Sequence, residues 1–110
     1  MGRGKEGKEK TMRTMTIDLQ EGFMNDNVVI LVDDVEVYNR DKVSTSFALA
    51  RADSLAVELP EGSATVRVKV PSKRLSGAIV LDVTPDVQLG VALVDDEIKF
   101  RVSDKIFPYF

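Results

Sequence analysis

Apolar and polar positions alternate with a period of two through most of this chain, the spacing of strands with one buried face. Met15, Ile17 and Leu19 alternate with Thr16 and Asp18. Glu21-Gly22 and the cluster Asn25-Asp26-Asn27 then turn the chain. Residues 28–32 form a continuous apolar run, as in a strand central in a sheet or covered on both faces. Asp33-Asp34 links that run to an alternating stretch from Val35 to Tyr38, which reads as a hairpin, although Asp-Asp is a weaker turn signal than Asn-Gly. Residues 43–50 favour a strand, with one helical turn around 49–52 as the alternative. Leu55, Val57 and Leu59 alternate until Pro60-Glu61-Gly62 ends the segment. Val66, Val68 and Val70 then interleave with Thr65, Arg67 and Lys69, the cleanest amphipathic strand in the chain. Residues 78–83 read as a largely buried run. Residues 89–94, the pair Asp95-Asp96, and Ile98, Phe100 and Val102 read as a final hairpin.

Eight or nine short strands at intervals of roughly 8–12 residues point to antiparallel sheets rather than βαβ units. The expected fold is all-β, an antiparallel two-sheet β-sandwich of about eight short strands, with a small β-barrel as the alternative. The chain has 110 residues, which fits one domain. We expect a flexible basic arm over residues 1–12 and one sandwich domain over 13–110. Open sheets have edges, so a homo-oligomer formed by strand addition is a natural outcome.

Composition narrows the chemistry. Without cysteine there is no disulfide framework and no thiolate ligand or nucleophile. Without histidine the usual general base and transition-metal ligand are absent. Residues 1–13 hold five basic and two acidic side chains, net +3, whereas the remaining 97 hold ten and sixteen, net −6. An acidic body argues against nucleic acid as a partner. No apolar run approaches the length of a membrane-spanning helix and no apolar segment follows the basic start. The expectation is therefore a cytoplasmic chain with neither signal peptide nor membrane insertion.

The hairpin pattern of 28–37 (VVILVDDVEV) and the Pro-Glu-Gly turn before alternating valines in 59–70 (LPEGSATVRVKV) resemble small bacterial sandwich modules of the PEGA type and the wider prealbumin-like, carboxypeptidase-regulatory-like group. The resemblance covers residues 27–83, about half of the chain. It departs from that pattern in having Asp33-Asp34 where glycine is usual. It implies a sandwich fold and a non-catalytic appendage rather than any particular activity.

Three surfaces are candidates. Ile106, Phe107, Tyr109 and Phe110 put three of the seven aromatic residues within the last five positions, too apolar a segment for water, and so an expected interface or a plug on the same domain. Asp33, Asp34, Asp95 and Asp96 offer carboxylates for a cation or ligand if both hairpins open at one end, against the plainer reading as turn residues. Arg67, Lys69, Lys73, Arg74, Lys99 and Arg101 would form a basic strip for an anionic partner if their strands were neighbours, and otherwise a solvated face. No catalytic constellation, cofactor motif or metal-ligand spacing is present. The expectation is a non-catalytic module for protein interaction or a structural role, self-associating through a sheet edge and the apolar tail. A small-ligand or cation-binding domain is the alternative.

Overall fold

The computed structural model describes residues 11–104. They form eight strands: β1 (Met12–Leu19), β2 (Asp26–Val32), β3 (Val35–Val43), β4 (Asp53–Pro60), β5 (Gly62–Val70), β6 (Leu75–Val83), β7 (Gln88–Val94) and β8 (Glu97–Ser103), with a 3₁₀ turn at Pro71–Lys73. The strands make two four-stranded sheets, β4-β1-β7-β8 and β3-β2-β5-β6, packed as a sandwich and not closed into a barrel. Neighbouring strands run antiparallel except β1 and β7, which pair in parallel through Thr16 to Leu19.

The period-two pattern explains the core. Met15, Ile17 and Leu19 of β1 and Leu89 and Val91 of β7 face Val28 and Ile30 of β2 and Val66, Val68 and Val70 of β5, all with no exposed surface. The alternating charged positions of β5, Arg67 and Lys69, point to solvent. The run at 28–32 is central in its sheet as expected, but Val29 and Leu31 on its outer face are only half-buried.

Both Asp-Asp pairs close two-residue hairpins. Asp33 and Asp34 have φ of 48° and 68°, Asp95 and Asp96 of 53° and 61°, the positive pair that a type I′ turn requires. Val32 pairs with Val35 and Val94 with Glu97 across them. Pro60-Glu61-Gly62 carries the chain from one sheet to the other, with Gly62 at φ 121°.

Two expectations are corrected. Residues 43–50 are not a strand: only Val43 belongs to one, and 44–52 is a loop closed by a single bridge between Ser46 and Arg51. The reason lies in the hydroxyls. Ser44 Oγ accepts from Asn25 N–H, Thr45 Oγ1 from Phe23 N–H and Ser46 Oγ from Leu49 N–H, so these side chains serve loop backbone in place of a ladder. Residues 78–83 are not largely buried either. They lie in β6, an edge strand that alternates, with Val80 66% exposed. At the amino end, Met12 already pairs with Pro60, so the strand starts inside the segment read as an arm; residues 1–10 lie outside the described residues.

Candidate interaction surface

The strand directions sort the connections between two ends of the sandwich. One end carries residues 20–25, 44–52, the 3₁₀ turn with Arg74, and the Asp95-Asp96 hairpin; the other carries the Asp33-Asp34 hairpin, Glu61, residues 84–87 and the exit of β8 at Asp104. The two acidic pairs are therefore at opposite ends and do not build a common site. Asp33 is further committed, since its Oδ1 accepts from Thr65 N–H at 2.9 Å. Among the described residues no three Asp or Glu gather closely enough to hold a metal ion.

The basic strip does not assemble. Arg67 and Lys69 lie on the outer face of one sheet and Lys99 and Arg101 on strand β8 of the other, so the condition that their strands be neighbours is not met. Lys99 pairs with Glu97 at 2.8 Å. That contact holds the exposed Glu97 carboxyl below its ordinary range and raises the Lys99 ammonium above its own. Lys73 is bonded to a buried carboxylate, and Arg74 is an exposed left-handed cap of the 3₁₀ turn. The apolar segment Ile106, Phe107, Tyr109 and Phe110 lies outside the described residues.

What the structure does bring together is an apolar end that the pattern of the sequence did not single out. Phe47 is fully exposed, Met24 is 78% and Leu49 57% exposed. Residues 20–25 and 44–52, which carry them, enclose a groove of about 520 Å³ lined by Glu21, Gly22, Phe23, Met24, residues 44–47 and Ala50. Among the described residues the other exposed large apolar side chains, Met12, Val35, Val80 and Val102, sit on four different strands.

Polar contacts hold the groove's walls. Thr45 N–H donates to Phe23 O at 2.9 Å, and Thr45 Oγ1 both accepts from Phe23 N–H and donates to Gln20 O at 2.7 Å. Leu93 N–H donates to Glu21 O at 2.9 Å and Ala52 N–H to Leu19 O at 2.6 Å, tying both loops to the strands beneath. Gly22 is required here: it has φ 93°, and a Cβ would stand 2.0 Å from Leu93 O.

Asp26 anchors the same end from below. Its carboxylate, 3% exposed, accepts from Met24 N–H at 2.8 Å, Ser72 Oγ–H at 2.8 Å and Lys73 Nζ at 2.5 Å. Burial opposes its ionisation, but the bonds from Lys73, Met24 and Ser72 and the Lys73 charge outweigh it, so the carboxyl stays below its ordinary range. A second polar clip joins the two sheets along the β3–β4 edge. Tyr38 Oη donates to Asp53 Oδ2 at 2.7 Å, and the Arg40 guanidinium lies 5.7 Å above the Tyr38 ring and 3.7 Å from Asp53. Burial and then the Asp53 carboxylate push the Tyr38 phenol well above its ordinary range.

The opposite end has two clefts of about 520 and 460 Å³ that share Asp82 and Thr84, with Ser103 and Asp104 on one and Glu61 on the other. Val87 and Val102 complete the wall of the first, and Gly62 and Val83 that of the second, so both mix polar and apolar surface. Among the described residues no helix is long and apolar enough to cross a membrane. The chain matches no protein-family model, no curated protein and no solved structure.

Proposed function

We propose that this domain is a non-catalytic protein-interaction module whose contact surface is the apolar end formed by residues 20–25 and 44–52. The observation that carries the reading is Phe47, a large aromatic side chain left wholly in water beside an apolar groove, on a loop whose backbone is bonded to its neighbours. Isolated exposed apolar residues need no explanation, but three on adjoining loops around a groove mark a contact site. On the same reading the domain is non-catalytic, like the small sandwich modules that residues 27–83 resemble, and works in the cytoplasm. Turn geometry accounts for the acidic pairs without a cation.

The test is binding of the apolar dye anilinonaphthalene sulfonate to the full chain at low protein concentration, beside Phe47→Ser and Met24→Ser. Both side chains are exposed, so both variants should melt within about 0.5 kcal/mol of the parent and lose most of the dye signal. Unchanged dye binding in both variants would remove the apolar end as a contact surface.

A further inference from the structure

The geometry points to an occupant for the groove: we propose that it receives residues 105–110 of a second copy of this chain, so that copies join head to tail. This rests on the apolar end being the contact surface.

The segment Lys105 to Phe110 carries Ile106, Phe107, Tyr109 and Phe110, side chains of the chemistry an apolar groove takes up. Its one charged side chain, Lys105, is opposite in sign to Glu21 on the groove's rim. Pro108 has no N–H to leave unpaired on docking.

Reach decides between the same copy and another. The segment leaves from Asp104, at the end of the sandwich opposite the groove. Six residues span at most about 22 Å fully extended. Strand β8 alone measures about 23 Å at about 3.3 Å per residue, and the groove lies over the β1 side of the sheet, about 10 Å further across. Even stretched to its limit, a segment of that length would fall short of the groove on its own copy. The clefts within its reach mix Val83, Val87 and Val102 with the carboxylates of Asp82, Asp104 and Glu61, so they offer an apolar segment less apolar wall than the groove does and would have it cover charge. A second copy presents the groove with no such limit.

Tail and groove are different surfaces, so the contact is heterologous: each copy that donates a tail still has an open groove, and assembly continues unless a ring closes.

Two half-disabled variants test this. Phe47→Asp blocks the groove and keeps the tail; a chain ending at Asp104 keeps the groove and lacks the tail. By sedimentation over a tenfold concentration range, the full chain should grow past the dimer, each variant alone should be a monomer, and an equimolar mixture should give one species of twice the monomer mass that grows no further. Phe107→Ala with Phe110→Ala replaces the truncation should the shortened chain misfold. A mixture that stays monomeric overturns the proposal. A truncated chain that assembles as the full chain does, while Phe47→Asp stays monomeric, overturns the tail as occupant and keeps the apolar end as a contact surface. A full chain that is monomeric throughout, with dye binding unchanged by Phe47→Ser, overturns both.

Discussion

Replacing Asp26 by alanine tests whether the buried clamp holds the apolar end together. The substitution removes three charge-assisted bonds at once and strands the Met24 N–H, the Ser72 hydroxyl and the Lys73 ammonium. A hydrogen bond to a charged group contributes about 1.5–3 kcal/mol, and removing one member of a buried ion pair costs about 3–5 kcal/mol. Lys73 is 32% exposed and rehydrates, which places the loss at the lower end, about 3 kcal/mol. With a urea slope near 2 kcal/mol/M, the midpoint should fall by about 1.5 M. Asp26→Asn keeps an acceptor but loses the charge and should fall by about half as much.

The same carboxylate makes the effect depend on pH in one direction. Its folded-state pKa lies below the ordinary value of 3.8, so the folded chain binds that proton less readily than the unfolded chain does. The ionic part of the stabilisation is complete above about pH 5 and is lost as pH falls below 3.8 through the folded value. Urea titrations of parent and Asp26→Ala at pH 7, 5, 4 and 3 should therefore show a constant gap at the first two and a narrowing gap at the last two. A midpoint within 0.3 M of the parent at pH 7, or a gap that stays constant down to pH 3, would refute the clamp.

Other expectations can be checked on the same instruments. Gly22→Ala should cost at least about 2–3 kcal/mol in a melt, because the new methyl meets the Leu93 carbonyl at a positive φ; a loss under 1 kcal/mol would show that the loop shifts freely. Tyr38→Phe should cost about 1 kcal/mol and abolish the phenolate absorbance step that begins only above the ordinary tyrosine range, whereas a parent in which the phenol removed by Tyr38→Phe titrates within that range would mean that Tyr38 does not donate to Asp53. Asp34→Gly and Asp96→Gly should each raise stability by about 0.5–1 kcal/mol, since glycine meets a positive φ without strain; a drop in either would show that its carboxylate does more than turn the chain.

Strands were legible where the signal is local. Arg67 and Lys69 between Val66, Val68 and Val70 declare their faces without reference to the rest of the chain, and so do Met15, Ile17 and Leu19. The Asp-Asp turns were legible because the turn is two residues long and its strands flank it. The loop at 44–52 was not, since Ser44 and Thr45 suit a strand by propensity and are drawn out of one by partners about twenty residues away, Asn25 and Phe23. Asp26 looked like one more polar residue in a turn cluster, and Lys73 like part of a solvated basic run. Their pairing spans 47 residues and depends on β2 and β5 being neighbours. The basic strip failed for the same reason in reverse: spacing placed each pair on a face, but sheet order, which no local pattern encodes, put the faces on different sheets. Phe47 offered one sign, a lone aromatic between a hydroxyl run and small residues, where a strand would have called for alternation.

These polar contacts also bear on how the apolar end would bind. Phe47, Met24 and Leu49 are exposed, yet the backbone beneath them is bonded through Thr45, Glu21 and Asp26, so a partner would meet walls already in place and little ordering entropy would be lost on contact. Stability and association should then be coupled. Asp26→Ala frees the Met24 N–H, and at temperatures where the variant is still fully folded it should weaken head-to-tail assembly beyond the parent's value, because the loosened loop must be re-ordered by its partner. A loop that merely connected strands would behave otherwise: the variant would melt earlier, and its assembly constant, measured below the melt, would match the parent's.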